Sequence, residues 1–223
     1  MAKILVFAPH PDDDIIGCGG SMAKHVHNGN EVSIVYLTSG ESGSLKYSQP
    51  ELAVIREKEA RDASSLMGIS DLIFLGMPDG FISYNQQNLM LLVNNIRIQK
   101  PDVIYIPHAK DAVLDHQVTH QLVREACNKA AGPWFQDCTA QPWITSTILA
   151  YEVWTPLQEV SYVEDIGSCI ETKLAALRCH QSQLEMIGYD DAVHGLNRYR
   201  GILSGKGEFC EAFQVIKTGG PLW

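Results

Sequence analysis

A chain of 223 residues with 45% hydrophobic and 19% charged residues has the make-up of a globular protein with one sizeable core, which argues against long disorder or two full domains. The formal net charge of -9 argues against a nucleic acid or an anionic membrane as the main partner and favours a small molecule. No apolar run reaches spanning length and Met1-Ala2-Lys3 leads straight into the first strand, so a cytoplasmic protein without stable membrane insertion is expected.

Residues 3–8 (KILVFA) read as a short buried strand that Pro9 and Pro11 stop, so His10, Asp12, Asp13 and Asp14 crowd at its carboxyl end. In open α/β sheets ligands bind along that edge, and three adjacent carboxylates repel one another unless protons or a cation offset their charge. From the local string alone, a turn with solvated aspartates is the plainer alternative. Residues 17–28 fit a first helix ended by Gly29, 31–37 a second strand, and 51–67 a helix closed by Gly68. Residues 71–75 make a third strand running into the turn Pro78-Asp79-Gly80, and 87–99 a helix that Pro101 stops. A fourth strand at 102–106 is followed by a helix over 116–130, a loop over 132–142 and a strand over 147–154. The last helix is expected over 171–187, and residues 188–207 show poor periodicity.

This order predicts an α/β fold: a Rossmann-like open, mostly parallel sheet with helices on both faces, plus a C-terminal capping segment. One domain is expected over 1–223, with a metal-binding core at 1–155 and a substrate-side cap with oligomerisation elements at 156–223. The six cysteines, Cys18, Cys127, Cys138, Cys169, Cys179 and Cys210, form no C-x-x-C pair and read as free thiols.

The end of the fourth strand carries His108, Asp111, Asp115, His116 and His120. In a doubly wound sheet the first strand is central and neighbouring loops border one crevice, so two imidazoles and a carboxylate can meet there and leave a position for water. The facial triad of non-haem Fe(II) oxygenases uses the same ligand types, but those enzymes usually stand on β-barrels. A dinucleotide loop at Gly17-Cys18-Gly19-Gly20 fails because Met22 stands where the third glycine belongs.

Several blocks, in order, carry a resemblance. They are HPDDD at 10–14 with Gly17, Gly19 and Gly20; TSGE at 38–41; Arg56 and Glu59; PDG at 78–80; DAVLDHQVTH at 111–120; YEVWTP at 151–156; K-x-x-A-L-x-x-H-x-S-Q at 173–183; and EAF at 211–213. Together they resemble the LmbE/PIG-L family of zinc-dependent de-N-acetylases. The resemblance implies a hydrolase that removes an N-acetyl group from an N-acetylglucosamine-type sugar conjugate. It implies His10, Asp13 and His116 as ligands of Zn2+, with Fe2+ or another divalent metal as alternatives, and Asp12 as general base. Arg56, through its planar fork, and Asp79 are expected to border the substrate. A non-catalytic binding member of the fold is the remaining alternative, and a homo-oligomer is expected.

Two positions depart from the family pattern. Asp14 stands where glutamate is common, and Val113 where a helper histidine often stands. The imidazoles left for that helper role are His108, His120, His180 and His194; His120 reads as a supporting residue, and His194, delivered by the capping segment, is the expected acid or oxyanion donor. Arg198 and Arg200 read as surface arginines with an outside chance of meeting an anionic substrate group.

Overall fold

The computed structural model describes residues 1–219. Five strands, β1 (Lys3–Ala8), β2 (Glu31–Tyr36), β3 (Asp71–Phe74), β4 (Val103–Pro107) and β5 (Thr147–Tyr151), pair in parallel. Two more, β6 (Tyr162–Asp165) and β7 (Cys210–Lys217), join antiparallel, which gives one sheet in the order β3-β2-β1-β4-β5-β7-β6. Helices α1 (Asp13–His27), α2 (Gln49–Leu66), α3 (Gln86–Gln99), α4 (Leu114–Ala130), α5 (Ile170–Leu177), α6 (Gln181–Leu184) and α7 (Tyr189–Ser204) complete the chain.

Along β1, Ile4, Val6 and Ala8 join an apolar layer with α1, α2, α5 and α7, whereas Leu5 and Phe7 join a layer with α3 and α4. A strand covered on both faces reads as a continuous apolar run, which is why KILVFA shows no alternation. The chain steps outward from β1 to β3 and then returns to β4 beside β1, so the strand order reverses between those two neighbours. Loops leaving their carboxyl ends diverge and open a crevice.

The first helix begins at Asp13, four residues before the expected start, because Asp13 and Asp14 sit in its first turn, where carboxylates favour the positive end of the helix dipole. It breaks at Cys18 (φ -144°), next to Gly17, where an added Cβ would overlap the Tyr151 ring. Gly17 thus lets α1 approach β5, and Gly20 lets it approach Ile166. Past the break, the amides of Gly20 and Ser21 donate to the Glu211 carboxylate (2.8 Å each), which also accepts from Ser21 Oγ (2.6 Å) and the Lys173 ammonium (2.6 Å). Lys173 and Glu211 are both buried, and Lys173 donates further to the Ile16 carbonyl at 2.9 Å. Removing one member of such a pair strands the other, so Glu211→Ala is expected to cost about 3–5 kcal/mol in urea unfolding. A loss below about 1 kcal/mol, the worth of an exposed pair, would contradict this placement.

The C-terminal third differs from expectation. The helix expected over 171–187 is two helices broken before His180, whose backbone (φ -81°, ψ 57°) leaves the helical region. Residues 188–207 are mostly helical: Tyr189–Ser204 form α7, whose buried stripe is Tyr189, Val193, Asn197 and Gly201. Spacing of four is helical, but an asparagine and a glycine in the stripe hid its apolar period. Asn197 Nδ2 donates to the Cys210 carbonyl (2.9 Å), and Gly201 lies against the backbone of Glu208. Since β6 and β7 extend the sheet, residues 156–219 build its edge as well as covering the crevice. Among the described residues no helix is long and apolar enough to cross a membrane, and the six cysteines are free.

Candidate active site and metal centre

The carboxyl ends of the parallel strands enclose a cavity of about 270 Å³. The β1–α1 turn supplies His10, Asp12 and Asp13; the β4–α4 segment supplies Val113 and Asp115; the β3–α3 loop supplies Asp79 and Gly80. His116, wholly buried in the first turn and a half of α4, stands behind them with its ring 5.4 Å from that of His10.

Asp13 Oδ2 is the hub. It accepts from the His10 amide (2.9 Å), lies 3.0 Å from His10 Nδ1 and lies 3.3 Å from His116 Nε2. Ligand atoms of His10, Asp13 and His116 all fall within 4.8 Å of one another. Both ring nitrogens of His116 lack an aligned hydrogen bond, although Asp13 and Asp111 carboxylate oxygens each stand 3.3 Å away. Two imidazoles, one carboxylate and a buried, unpartnered ring nitrogen fit a divalent cation such as zinc. His10, Asp79 and Asp115 form a second such group. There the carboxylates are already committed: Asp115 accepts from Gly80 N (2.8 Å) and Ile82 N (3.1 Å), and Asp79 from Ser42 N (2.7 Å). Their remaining contacts, 3.2 and 3.1 Å to His10 Nε2, orient that ring.

Asp111, named in the sequence only as one candidate among several, holds His116. Its Oδ1 faces His116 Nδ1 and accepts from Val113 N (3.0 Å), while Oδ2 accepts from Trp154 N (3.0 Å) and Thr155 N (3.1 Å). A carboxylate at Nδ1 directs the other nitrogen toward Asp13. Burial pulls the His116 pKa down, but Asp13 and Asp111 outweigh it and raise it to about 9. Burial likewise opposes His10, yet Asp115, Asp13 and Asp79 raise it well above the usual value. Burial raises Asp13, and the two imidazoles overcome that and hold its carboxyl well below the usual range.

Asp12 caps α1 with φ 130°, a conformation that costs a non-glycine residue about 1–3 kcal/mol and points to a functional constraint. The buried Arg56 guanidinium pins it: Nη2 donates to Pro11 O (2.6 Å) and Asp12 Oδ2 (3.2 Å), and Nη1 to Gly40 O (3.0 Å). Gly40 (φ 65°) lies flat on the guanidinium, where any Cβ would overlap it. Burial pushes Asp12 up to about 7 against the pull of Arg56. Burial also pushes Asp14 to about 7, and Tyr36 Oη donates to it at 3.0 Å, so the shorter acid finds its partner in β2.

The structure thus brings His10, Asp12, Asp13, His116, Arg56 and Asp79 together. Arg56 is spent on protein groups, chiefly on holding Asp12. His194 does not join them, which corrects the expected catalytic role: it is exposed on α7 with its ring tilted 44° to that of Phe209, centroids 4.8 Å apart. His108 Nε2 donates to Thr155 O (2.7 Å), and His120 Nδ1 to Pro107 O (2.8 Å). His180 is buried without a hydrogen-bond partner, and burial pushes it down to about 3. Arg200 forks onto Glu152 (3.0 and 2.6 Å), and Arg198 pairs with Glu208.

Sequence reading missed Tyr189, Gln183 and Trp154, which line the cavity. Tyr189 is 9% exposed, packs edge-on against Trp154 at 5.2 Å, and its hydroxyl has no hydrogen-bond partner among the described residues. Burial, then the Asp12 carboxylate, push its pKa up to about 12, so it is a neutral donor. Trp154 and Gln183 lay in the blocks YEVWTP and H-x-S-Q; Tyr189 had no signal because its helix was not recognised.

Comparison with known proteins gives a consistent picture. The model of the family described as GlcNAc-PI de-N-acetylase (PIG-L) matches residues 5–127. Diacetylchitobiose deacetylase of Thermococcus kodakarensis is 30% identical over 192 residues, covering 82% of this chain and 70% of that protein. The inhibitor-bound structure of N,N'-diacetylchitobiose deacetylase from Pyrococcus horikoshii superimposes with a TM-score of 0.87 at 28% identity, covering 96% of this chain and 84% of that one. The 4-carboxy-2-hydroxymuconate hydratase of Pseudomonas putida superimposes with a TM-score of 0.86 at 21% identity over all of both chains, a likeness of fold alone.

Proposed function

The chain belongs to the GlcNAc-PI de-N-acetylase (PIG-L) family, and from that premise we propose that it is a metal-dependent hydrolase removing the acetyl group from an N-acetylglucosamine-type sugar conjugate. The observation that carries this reading is the Asp12 carboxylate, held by Arg56 in the cavity that His10 and Asp13 also line, with His116 completing their cluster from behind. Zinc, with Fe2+ or another divalent cation as the alternative, would be held by His10, Asp13 and His116; once bound it makes a water acidic near neutral pH and polarises the amide carbonyl.

Asp12 takes the proton of the attacking water. Its lowered basicity in isolation is offset by burial, which keeps it a competent base near pH 7. Arg56 fixes the carboxylate so that one oxygen remains for this transfer. Protonated Asp12 then returns the proton to the departing amine, giving a free amino sugar and acetate. With Val113 unable to donate, the neutral Tyr189 hydroxyl is the donor available for the amide oxygen as it gains charge. Asp79 and Gln183 line the same cavity and are available to sugar hydroxyls. The open, mostly parallel sheet is not the β-barrel on which non-haem Fe(II) oxygenases usually stand, which supports the hydrolase reading over that alternative. Exposed Tyr199, Ile202 and Leu203 on α7 support the expected homo-oligomer.

The test is acetate release by zinc-loaded protein over a panel of soluble N-acetylglucosamine conjugates, with diacetylchitobiose among them. No acetate from any of them would refute the reading. Within it, Tyr189→Phe is expected to lower kcat about 10²–10³-fold with KM little changed, the effect of losing one oxyanion donor. His194→Ala is expected to leave both constants as they are.

A further inference from the structure

A second cavity, of about 410 Å³, shares no lining residue with the first and falls in the size range of small-ligand sites. It lies between α4 and the segments 155–159 and 214–216. His120, only 2% exposed, forms part of its wall. Because His120 Nδ1 faces the Pro107 carbonyl at 2.8 Å, that nitrogen carries the hydrogen and Nε2 keeps a lone pair. Nε2 has no partner among the described residues. Burial, with Arg124 and His108 nearby, lowers the imidazole's pKa and so keeps the ring neutral.

Two cations, Lys110 and Arg124, stand exposed on the same cavity, and neither side chain makes an ion pair among the described residues. In a chain of net charge -9, two free cations at one cavity are a local exception. Glu159 and the amides of Gln158 and Gln214 complete the polar wall. A bare anion would satisfy the cations but set negative charge against Glu159 and the His120 lone pair. A neutral sugar would use Glu159 and His120 and leave the cations idle.

We infer that this cavity is a second binding site, for an anionic sugar whose phosphate or carboxylate meets Arg124 and Lys110 and whose hydroxyls donate to His120 Nε2 and Glu159. The guanidinium fork suits either anion. The site is independent of the reading of the catalytic cavity, and a ligand in it would stand against Thr155, whose carbonyl His108 holds and whose amide Asp111 holds.

The test is calorimetric titration of the full, zinc-loaded chain with glucose 6-phosphate, glucuronate, inorganic phosphate and glucose. Either or both anionic sugars are expected to bind saturably, and which of them does so distinguishes a phosphate from a carboxylate head. Inorganic phosphate and glucose are expected to bind about tenfold more weakly or not at all. Arg124→Gln, at an exposed position, is expected to weaken the sugar at least about tenfold and leave acetate release unchanged. In nitrogen-15-labelled protein the His120 Nε2 signal is expected to shift with the sugar and not with phosphate. No saturable binding at millimolar concentration, an unmoved His120 signal, or affinity that survives Arg124→Gln but falls in Asp79→Asn would each overturn the inference; the last would place the ligand in the catalytic cavity.

Discussion

Asp12→Asn is expected to lower kcat/KM for deacetylation by about 10²–10⁴-fold while the protein keeps its metal, since a positioned general base contributes on that scale. The substitution keeps the shape of the side chain and leaves His10, Asp13 and His116 untouched. It removes only the ability to accept a proton, so zinc content by elemental analysis should stay at the wild-type value. The wild-type pH profile carries the same signature. Asp12 works only when ionised, so kcat/KM rises with pH through its pKa. Burial puts that pKa at about 7, and a cation at the neighbouring ligands draws it lower. The acidic limb should vanish in the Asn variant. Activity near wild type, or an unchanged limb, would remove Asp12 from the reaction.

Much of this site was legible in the sequence because its chemistry is concentrated at strand ends. The prolines at 9 and 11 end β1 where the crevice opens, and the reversal of strand order sets the β4–α4 segment beside it. Residue type and spacing therefore pointed to the two strand ends, and the family resemblance singled out His10, Asp12, Asp13 and His116 among the candidates there. What the sequence hid were roles set by contacts across the fold. Arg56 read as a sugar ligand, yet three backbone and carboxylate oxygens at 2.6–3.2 Å claim its guanidinium. Asp111 and Asp115 look alike on one segment; only the placement of Trp154, Thr155, Gly80 and Ile82 separates the holder of His116 from the holder of His10. His194 was chosen because its segment was expected to fold over the crevice. In the actual helix the inward positions recur every four residues from Tyr189, and 194 falls outside that stripe.

Zinc is expected to stabilise the wild-type chain most strongly at alkaline pH and to leave His116→Ala unaffected. Without a cation, protons neutralise the cluster. His116 has a folded pKa of about 9 against an ordinary 6.5, so its proton contributes stability that is full below pH 6.5 and lost as pH rises through 9. Asp14 has the same sign, raised from 3.8 to about 7, with its contribution lost as pH rises through 7. The groups with lowered values, Asp13, Asp79 and Asp111, act only below their ordinary 3.8 and do not enter this window. Chelator-treated protein should therefore lose melting temperature steadily from pH 6.5 to 9. A cation displaces those protons and is favoured as they leave, so the zinc-loaded protein should hold its melting temperature over the same range, by about 4 kcal/mol at a thousandfold excess over Kd. His116→Ala removes both the alkaline proton and a ligand, so its curve should be flatter and indifferent to zinc. A flat curve for the chelated wild type, or an equal zinc shift in His116→Ala, would show that the cluster binds neither protons nor metal as a unit.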